Sequence, residues 1–430
     1  MKPVLQVALD LVHADRALAI ASDAVKGGVD WIEAGTPLIK SEGMEVVRQL
    51  KKAFPGHKIV ADMKTIDVGG AEVEIAAKSG ADIVVILGVS SDPTITEALL
   101  SARQYGSKIM VDLFNVEDKV ARAKQVEKMG ADYICVHVGV DEQMVGGSPL
   151  SELKGLSEAV KIPIAAAGGI NSETAPDILR AGASIVIVGG AIIKAKDVAG
   201  AARQVKKAIT SGKKVKTELF KKYSEEQLFE AFMKVSSPNV ADAQHKKGSM
   251  KGIHPRIRHG VKMVGRALTV HTVNGDWAKP VEAIDKANPG DVIVVDACGG
   301  EIGVWGELAS WSCKTRGVAG VVIDGAARDI DAIIDMDFPC FSRYVTSNAG
   351  EPKGYGGIGH EIVCGGVPVR TGDWIIGDES GVVVVPQETA VEVANRALDV
   401  FERENRVREE IKKGGTLSSV MKLEKWEKVG

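Results

Sequence analysis

Two α/β domains joined by a linker are predicted by this sequence: a (β/α)8 TIM barrel over residues 1–211, a linker at 212–222, and a second, different α/β domain over 223–430. Three observations carry the prediction. Eight short β-rich runs alternate with helical patterns in the first half of the chain. The length of 430 residues exceeds that of one ordinary domain. From Gly265 the pattern of β-rich and helical segments changes and does not repeat that of the first half.

The eight predicted strands of the first domain are Val4–Asp10, Trp31–Gly35, Lys58–Lys64, Ile83–Gly88, Lys108–Phe114, Tyr133–Val138, Ile162–Gly169 and Ile185–Gly190. Helical patterns such as Val116–Met129 and Ser172–Ala181 separate them, and most end at a glycine, which tolerates the left-handed conformation of a helix stop. Eight such strand–helix units favour a closed barrel. An open doubly wound sheet is the alternative, but such sheets rarely contain eight regular units.

Composition and charge narrow the classes of function. The hydrophobic share of 45% supports large cores, whereas a net charge of −3 and an aromatic share of 4% do not suit a nucleic-acid binder, which uses basic surfaces and stacking aromatics. No apolar run is long enough to cross a membrane, and the first strand begins at Val4, too early for a signal peptide. We therefore expect a cytoplasmic protein with no nucleic-acid or membrane partner.

The cysteines form no Cys-x-x-Cys pair, and four of the five lie in the second half of the chain. They are expected to be reduced thiols, mostly buried, and not a metal site. They are Cys135, Cys298, Cys313, Cys340 and Cys364.

An Asp-x-Lys-x-x-Asp motif stands at the end of the third predicted strand, as Asp62, Lys64 and Asp67. Because side chains alternate along a strand, Asp62 and Lys64 are expected on the same side. A lysine between carboxylates can stabilise negative charge that develops on a substrate. The alternative is a surface salt bridge at a strand end.

Other polar residues end the neighbouring strands, and barrel enzymes carry their chemistry at that end of the barrel. They are Asp10, Glu33, Asp112 and His137. A histidine there can serve as an acid or base near neutral pH, although a core histidine is the alternative for His137. The last two strands end in Gly168-Gly169 and Gly189-Gly190, whose backbone N–H groups could hold a phosphate.

Residues 1–210 closely resemble the 3-hexulose-6-phosphate synthases of the orotidine-5′-monophosphate decarboxylase superfamily. The stretches that carry the resemblance are Leu5–Asp10, Glu33–Lys40, Ala61–Gly70, Val111–Phe114 and Cys135–His137. The resemblance implies a lyase that joins formaldehyde to ribulose 5-phosphate, giving hexulose 6-phosphate, and that also runs in reverse. Such a reaction either captures formaldehyde or supplies pentose phosphate.

By the same resemblance, Glu33 and Asp62 hold Mg²⁺, with Mn²⁺ as the alternative metal. The metal and Lys64 stabilise an enediolate, and His137 transfers the proton. Asp10 and Asp112 belong to the same catalytic set. The resemblance further implies a dimer, because Asp67 is expected to enter the neighbouring subunit's site.

A second enzyme, 3-keto-L-gulonate-6-phosphate decarboxylase, also resembles this domain and shares its metal and enediolate chemistry. Many decarboxylating relatives carry an arginine after the glycine of the eighth strand. Here the sequence reads Val188-Gly189-Gly190-Ala191, without that arginine. The synthase is therefore favoured, and the decarboxylase is kept as the alternative.

The second domain mixes strands and helices without the regular alternation of the first. The predicted strands are Arg266–Val273, Val292–Asp296, Val318–Asp324 and Val382–Val385. The predicted helices are Ser224–Val235, Val281–Ala287, Ile302–Arg316 and Gln387–Lys412. A small-residue turn after the third of these strands carries Arg328 and Asp329, which could bind an anion and a cation side by side. A capping or interface pair is the alternative.

Residues 224–390 resemble the family that joins class II 4-hydroxy-4-methyl-2-oxoglutarate aldolases with regulator-of-ribonuclease proteins. The stretches that carry the resemblance are Ser237–Ala243, Gly306–Ala309, Gly325–Asp329 and Gly372–Asp378. It implies that Arg328 binds a 2-oxo acid carboxylate and that Asp329 binds a second divalent metal. Backbone amides of Gly306, Glu307 and Leu308 would hold the substrate.

The resemblance leaves open whether the second domain is an aldolase, a protein-binding regulator or a scaffold. Its relatives are typically trimers, whereas the barrel is expected to be a dimer. A two-fold contact joined to a three-fold contact favours a hexamer among closed assemblies.

Overall fold

The structure, a computed structural model, describes residues 2–421 and 423. Their contacts divide the chain into two units, one formed by residues up to Lys222 together with those from Glu402, the other by Tyr223–Phe401. The predicted linker at 212–222 falls in the first unit. The last predicted residues of the second domain, 422 and 424–430, lie outside the described part of the chain.

The predicted (β/α)8 barrel is confirmed, because eight parallel strands close on one another in sequence order. They are β1 (Val4–Leu9), β2 (Trp31–Ala34), β3 (Lys58–Thr65), β4 (Ile83–Leu87), β5 (Lys108–Asp112), β6 (Tyr133–His137), β7 (Ile164–Ala167) and β8 (Ile185–Val188). The first and last strands pair directly, with Gln6 beside Ile187. All eight carboxyl ends therefore surround one mouth.

Alternation along each strand separates two hydrophobic cores. In β1, Leu5, Val7 and Leu9 pack outward in the layer shared with the helices, whereas Val4 and Ala8 pack in the barrel interior. Gln6 lies on the same side of β1 as these interior residues and is fully buried. Polar residues on this side of a strand, near its carboxyl end, are therefore directed to the barrel interior and mouth.

Eleven helices of the described chain accompany these strands: α1 (Ala14–Lys26), α2 (Thr36–Glu42), α3 (Glu45–Ala53), α4 (Gly69–Lys78), α5 (Asp92–Tyr105), α6 (Lys119–Met129), α7 (Val140–Met144), α8 (Leu150–Ala159), α9 (Ala175–Arg180), α10 (Gly190–Ile193) and α11 (Val198–Ser211). The helix predicted from Val116 begins at Lys119, because the Asp118 side chain caps it by accepting from Ala121 N at 2.9 Å. None of the helices in the described residues is long and apolar enough to span a membrane.

The segment after α11 is held against the barrel by hydrogen bonds. Val215 N donates to Ser172 O at 3.1 Å, and Ser172 Oγ donates to Val215 O at 2.7 Å. Thr217 N donates to Glu173 Oε1 at 2.8 Å. The polar, basic composition that predicted a linker therefore does not make this segment a loose tether.

The second unit is an α/β domain built on a mixed nine-stranded sheet, and it does not repeat the barrel. The strands of this unit are β9 (His254–Arg256), β10 (Met263–His271), β11 (Asp291–Asp296), β12 (Gly303–Trp305), β13 (Gly320–Ala327), β14 (Cys340–Val345), β15 (Gly357–Ile358), β16 (Ile362–Cys364), β17 (Val367–Val369), β18 (Trp374–Asp378) and β19 (Gly381–Val385). Strands β16 and β17 form a separate two-stranded ribbon, and the other nine form the sheet. The main order is β19-β18-β10-β11-β13-β14-β9, with β10, β11, β13 and β14 parallel.

The remaining helices are α12 (Leu228–Lys234), α13 (Ser237–Ala243), α14 (Ala278–Lys286), α15 (Glu307–Thr315), α16 (Ile330–Asp335), α17 (Ala390–Lys412) and α18 (Leu417–Met421). The helix predicted over Ile302–Arg316 is wrong at its beginning, because Gly303–Trp305 forms β12 and pairs with β13. Val304 and Trp305 are buried there, and the extended backbone of Gly306 delays the helix until Glu307.

Both faces of the second sheet are covered. In β11, Ile293 and Val295 join one hydrophobic cluster, whereas Val292 and Val294 join another. A parallel strand buried on both faces is a continuous apolar run, which is why β11 shows no polar alternation. Polar residues are confined to its ends.

Candidate active site

Two buried carboxylates lie at the ends of neighbouring barrel strands. Glu33 on β2 and Asp62 on β3 are 6% and 7% exposed. Glu33 Oε2 accepts a hydrogen bond from Gln6 Nε2 at 2.5 Å, and Asp62 Oδ2 accepts one from Thr36 Oγ1 at 2.7 Å. Burial raises the pKa of Glu33 well above its usual value, and the negative charges of Asp62 and Asp10 raise it further.

Lys64 connects this carboxylate pair to the next strands. Its Nζ lies 2.9 Å from Asp62 Oδ2 and 3.4 Å from Asp112 Oδ2. Burial by itself would lower the pKa of Lys64, but the Asp62 and Asp112 carboxylates outweigh it, and the net pKa is raised. The ammonium group therefore remains charged in the site.

Lys64 and Asp62 meet as predicted, but not by regular alternation along a strand. Lys64 has a φ of +47°, in the left-handed region, and the pairing of β3 with β4 slips between Asp62 and Thr65. A non-glycine residue in this region is strained by about 1–3 kcal/mol and is found where the surroundings hold it. The break in the ladder directs Lys64 toward the mouth.

A carboxylate–imidazole pair stands opposite. His137 Nδ1 lies 3.0 Å from Asp112 Oδ2, and Phe114 N donates to Asp112 Oδ1 at 3.0 Å. Burial would raise the pKa of Asp112, but the hydrogen bond and charge of His137, with the charge of Lys64, lower it overall. Asp112 thus stays ionised and orients the imidazole ring. The Phe114 ring packs beside the imidazole, with 5.5 Å between the two ring centroids.

Asp10 follows β1 at the mouth. A Cβ at Gly35 would lie 2.3 Å from Asp10 Oδ1, and one at Gly189 would lie 3.4 Å from Asp10 Oδ2. Asp10 therefore requires glycine at position 35, whereas a Cβ at position 189 would only be in ordinary contact with it. Desolvation by the surrounding protein raises the pKa of Asp10, and the Asp62 carboxylate adds to this, although solvent still reaches the open side of the residue.

The predicted phosphate-binding glycines are at the ends of β7 and β8. Gly168 and Gly169 have φ values of +111° and +66°, which other residues adopt only with strain. A Cβ at Gly168 would lie 2.6 Å from Val138 O, so this turn also needs the close approach of two backbones. Gly189 and Gly190 form the corresponding turn into α10.

Asp67 is placed differently from the other predicted residues. It lies on the exposed loop between β3 and α4, and its Oδ1 accepts a hydrogen bond from Val68 N at 2.7 Å. Its neighbours Ile66 and Val68 are 54% and 61% exposed. Within the described chain, Asp67 is not part of the network that joins Asp62, Lys64, Asp112 and His137.

The sequence did not identify Gln6 and Thr36 as members of the site. Gln6 could have been suspected, because it is a lone polar residue between apolar neighbours in a strand. Thr36 carried no such signal, since its hydroxyl, at the start of α2, reaches Asp62 on β3 only in the folded barrel.

The acidic end of this cluster fits a hard divalent cation. Asp62 Oδ1 and Gln6 Oε1 are buried side-chain oxygens without a hydrogen-bond partner among the described residues. Such acceptors are costly to bury alone, and oxygen ligands from carboxylates are those that Mg²⁺ prefers. Glu33 and Asp62 could therefore hold the predicted ion.

The second unit also gathers most of its predicted site residues. Arg328 Nε lies 3.1 Å from Asp329 Oδ2, and Glu307 N lies 3.4 Å from the same oxygen. A Cβ at Gly306 would lie 2.7 Å from Asp329 Oδ2, so the glycine permits this approach. Leu308 is 80% exposed at the beginning of α15.

An eight-stranded parallel barrel with titratable side chains converging at the carboxyl ends of its strands defines a TIM-barrel enzyme. Comparison with known proteins identifies the kind. Residues 3–205 match the family described as "Orotidine 5'-phosphate decarboxylase / HUMPS family", and residues 237–384 match the one described as "Aldolase/RraA". The chain belongs to the orotidine 5′-phosphate decarboxylase/HUMPS family and is a lyase, with a second domain of the RraA-like type.

Three relatives illustrate the similarity. The 3-hexulose-6-phosphate synthase of Mycobacterium gastri is 42% identical over 205 residues, which are 48% of this chain and 99% of the relative. That of Bacillus subtilis is 41% identical over 209 residues, with the same coverage of 48% and 99%. The structure of 3-keto-L-gulonate-6-phosphate decarboxylase from Vibrio cholerae is 26% identical, with coverage of 49% and 99% and a TM-score of 0.44.

Proposed function

We propose that this chain is a 3-hexulose-6-phosphate synthase. It would add formaldehyde to D-ribulose 5-phosphate to give D-arabino-hex-3-ulose 6-phosphate, and catalyse the reverse reaction. The observation that carries the proposal is the network in which Lys64 contacts Asp62 and Asp112, and Asp112 contacts His137. It combines a fixed cation with an oriented acid–base group, and the synthases of two organisms match this barrel at 42% and 41% identity.

Glu33 and Asp62 are the proposed ligands of Mg²⁺, with Mn²⁺ as the alternative. When bound, a divalent cation supplies positive charge to oxygens of the substrate and lowers the cost of an enediolate. The protein contributes the fixed position of both carboxylates, through the hydrogen bonds from Gln6 Nε2 and Thr36 Oγ1. Such partners orient ligands and are part of a metal site.

His137 is the proposed proton carrier. Its Nδ1 is engaged by Asp112, which leaves Nε2 to remove a proton from C1 of ribulose 5-phosphate. The electron pair of that C–H bond forms the C1–C2 double bond, and the C2 oxygen becomes negative. Lys64, already charged and held in place, stabilises that oxygen without having to reorganise.

Carbon–carbon bond formation follows from the same arrangement. The enediolate C1 attacks the formaldehyde carbon, and the formaldehyde oxygen becomes an alkoxide. His137 returns its proton to this oxygen, which restores the neutral imidazole. In reverse, the same groups break the C–C bond and release formaldehyde.

The phosphate of the substrate is assigned to the turns after β7 and β8. Backbone N–H groups at Gly168, Gly169, Gly189 and Gly190 are the proposed donors. Lys194 follows shortly after, and its positive charge opposes the rise that burial causes in the pKa of Asp10 at the mouth. A cation at this end would complement a phosphate dianion.

The experiment is an assay of the purified full chain with ribulose 5-phosphate, formaldehyde and Mg²⁺, in which formation of hexulose 6-phosphate is measured. Chelation should abolish activity, and added Mg²⁺ should restore it. Asp62→Ala should remain inactive at any Mg²⁺ concentration, whereas Asp132→Ala, outside the network, should retain activity. Full activity in chelator would rule out the proposed mechanism.

The alternative activity is decarboxylation of 3-keto-L-gulonate 6-phosphate. The same barrel could stabilise the enediolate left after loss of CO₂. Release of CO₂ from this substrate, faster than synthesis of hexulose 6-phosphate, would favour the decarboxylase. The absence of an arginine after Gly190 supports the synthase instead.

For the second unit we propose a site for a 2-oxo acid with a divalent metal. The guanidinium of Arg328 would bind the carboxylate, and Asp329 would bind the metal beside the backbone amide of Glu307. Calorimetry with pyruvate and Mg²⁺ tests this, with Arg328→Ala expected to lose binding and Arg316→Ala, on the same unit, expected to keep it. No binding by the wild-type chain would favour a protein-binding regulator of ribonuclease or a scaffold.

A further inference from the structure

Cys298 differs from the other cysteines of the chain. Cys135, Cys313, Cys340 and Cys364 are buried, whereas Cys298 is exposed. It also has a φ of +55°, a left-handed conformation that cysteine adopts only with strain. Strained backbone clusters at functional sites, and neither proposed activity uses this residue.

The backbone around Cys298 is held on both sides. Ala297 N and Gly299 N both donate to Asp324 O, each at 3.1 Å. Cys298 N donates to Asp296 Oδ1 at 2.9 Å. The position of the thiol is therefore set by β11 and β13 rather than by a free loop.

Two further donor groups lie beside this thiol. His271 ends β10, Asp296 ends β11, and the two residues are direct partners in the parallel pairing. His271 Nδ1 lies 3.1 Å from Asp296 Oδ2. One ligand atom from each of His271, Asp296 and Cys298 can be chosen so that all three lie within 4.8 Å of one another.

We propose that His271, Asp296 and Cys298 bind a divalent cation of the zinc class. A nitrogen, an oxygen and a sulfur donor are a borderline-soft set, which suits Zn²⁺, Co²⁺ or Fe²⁺ rather than Mg²⁺. Ligand bonds of about 2.0–2.1 Å in a tetrahedron place N and O about 3.3 Å apart, close to the 3.1 Å observed. To complete the set, the Cys298 thiol would exchange its hydrogen bond to Thr272 O, at 3.5 Å, for the metal.

The surroundings are consistent with a site that keeps one position open. Three protein ligands leave a fourth for water or a substrate, as in catalytic zinc sites. The hydrogen bond from Cys298 N fixes Asp296 Oδ1 and directs Oδ2 to His271. The His271 side chain is 45% exposed, so a ligand can reach the site from solvent.

This site is distinct from the two others. The barrel site offers carboxylates and an amide oxygen, and the Cys135 thiol near it is buried in the barrel interior. The Arg328–Asp329 site offers a single carboxylate. Asp324, the strand partner of Asp296, is engaged by Arg343 and by Gly365 N. It therefore borders the proposed site without being counted as a ligand.

Cobalt is the sharpest probe, because a thiolate bound to Co²⁺ gives a charge-transfer band in the near ultraviolet. The untagged full chain, stripped with chelator and kept in excess Mg²⁺ to occupy the barrel, is titrated with Co²⁺. The band should appear at one equivalent, and Zn²⁺ should then remove it by displacement. His271→Asn and Asp296→Asn should weaken or abolish it, whereas His254→Gln, at an exposed histidine, should keep it.

Cys298→Gly separates binding from folding. Glycine accepts the left-handed conformation, so this variant should fold at least as well as the wild type while losing the band. Asp62→Ala should retain the band, which would show that it does not arise in the barrel. A wild-type chain without the band, or a Cys298→Gly chain that retains it, would overturn the proposal.

Alkylation gives a second readout. Bound Zn²⁺ should protect Cys298 from iodoacetamide, as measured by peptide mass spectrometry, and chelation should remove the protection. Equal labelling with and without Zn²⁺ would contradict metal binding.

Discussion

Lys64 shows how a single residue can be both locally unfavourable and well placed. Its left-handed backbone is strained, yet its ammonium group lies between the carboxylates of Asp62 and Asp112. In solution these two interactions with carboxylates would be weak, but burial strengthens them. Strain of this kind is typical of sites where position matters more than stability.

Lys64→Ala is expected to lower kcat by roughly 10²–10³-fold, because a preorganised charge is removed from the developing enediolate. Turnover should be lost far more than stability, although the buried Asp62 and Asp112 carboxylates lose a cationic partner and the thermal unfolding temperature should fall. The matched control is Lys58→Ala at the other end of β3, an exposed lysine over the Trp31 ring, which should keep full activity. Steady-state kinetics and thermal unfolding of both variants measure this, and an unchanged kcat would return Lys64 to the role of a salt bridge.

In the proposed mechanism Asp112 acts on the substrate through His137 and Lys64, which it contacts, so it is a positioning residue. Asp112→Asn should reduce kcat by about 10²-fold or more, because the amide no longer favours the tautomer with a proton on Nδ1. KM for ribulose 5-phosphate should change little. A variant with a raised KM and normal kcat would instead place Asp112 in substrate binding.

Among the elements, the segment at 212–222 departs most from its predicted behaviour. Its composition is that of a flexible linker, but Ser172 and Glu173 hold it to the barrel through Val215 and Thr217. Two side-chain hydrogen bonds contribute about 1 kcal/mol each to this docking. The segment is also rich in lysine, which makes it a suitable target for trypsin.

Limited proteolysis tests the docking of this segment. The native chain should resist trypsin here, whereas the Ser172→Ala/Glu173→Ala double variant should be cleaved about 30-fold faster, because loss of about 2 kcal/mol raises the open population by that factor. Ser157→Ala is the control, since its hydroxyl bonds within its own helix. Fast cleavage of the wild-type chain at this segment would show that the bonds do not hold it.

Lys262 supports α12 in an unusual way. Its ammonium group donates to the carbonyl oxygens of Phe232 and Val235 at the end of this helix. Burial lowers the pKa of Lys262 from 10.5 to about 8, although Asp378 opposes the shift. Between these two pKa values the unfolded chain binds more protons than the folded chain, so stability contributed by this group rises with pH.

Comparison with Lys262→Met isolates this pH dependence. The stability of the wild type relative to the variant should increase as pH rises from about 8 towards 10.5 and should be flat below. Hydrogen–deuterium exchange of α12 measures it locally, with both proteins compared at the same pH. Lys247→Met, at an exposed lysine, should show no trend. A relative stability that falls with pH would mean that Lys262 is fully charged and paired.

At the scale of the whole molecule, Asp67 and its apolar neighbours remain to be explained. The loop exposes Ile66 and Val68 on either side of Asp67, and Ile75 on α4 is 50% exposed. Exposed apolar side chains beside a carboxylate in the sequence suit a contact between subunits. They support the prediction that the barrel is a dimer in which Asp67 enters the partner's site.

Mixing two inactive variants tests the shared site. Asp67→Ala and Lys64→Ala chains, allowed to exchange subunits, should recover about one quarter of wild-type activity, because half of the dimers are hybrids and each hybrid has one intact site. Lys64→Ala mixed with His137→Asn should recover none, since both residues belong to the same barrel. Proven exchange without recovery in the first mixture would place Asp67 in its own subunit.

The oligomeric state follows from the same reasoning. A two-fold contact of barrels with a three-fold contact of the second domains would close a hexamer. Light scattering of the full chain should then give the mass of six subunits, and Val68→Asp, which places charge in the apolar face, should reduce it to that of three. A monomeric wild type would exclude both contacts.

The barrel and most of its mouth could be predicted from the sequence alone. Strand periodicity and glycine stops located all eight strands, and because the strands are parallel their carboxyl ends must meet at one mouth. This is why Asp10, Glu33, Asp62, Asp112 and His137 could be assigned to one region before their distances were known. The second α/β domain followed from the change in the pattern of strands and helices. Strand β12 (Gly303–Trp305) was predicted instead as the start of a helix, since a short buried strand and a helix share the same apolar pattern.

Only the tertiary structure decided the contacts that depend on register and on local backbone. Gln6 and Thr36 join the carboxylates because neighbouring strands align them, and Lys64 reaches its partners through a break in the ladder that no alternation predicts. Cys298 comes beside His271 for the same reason, since parallel pairing of β10 with β11 brings together residues separated by a helix and two loops. Sequence periodicity determines which face a residue occupies, whereas strand register determines which residues it meets.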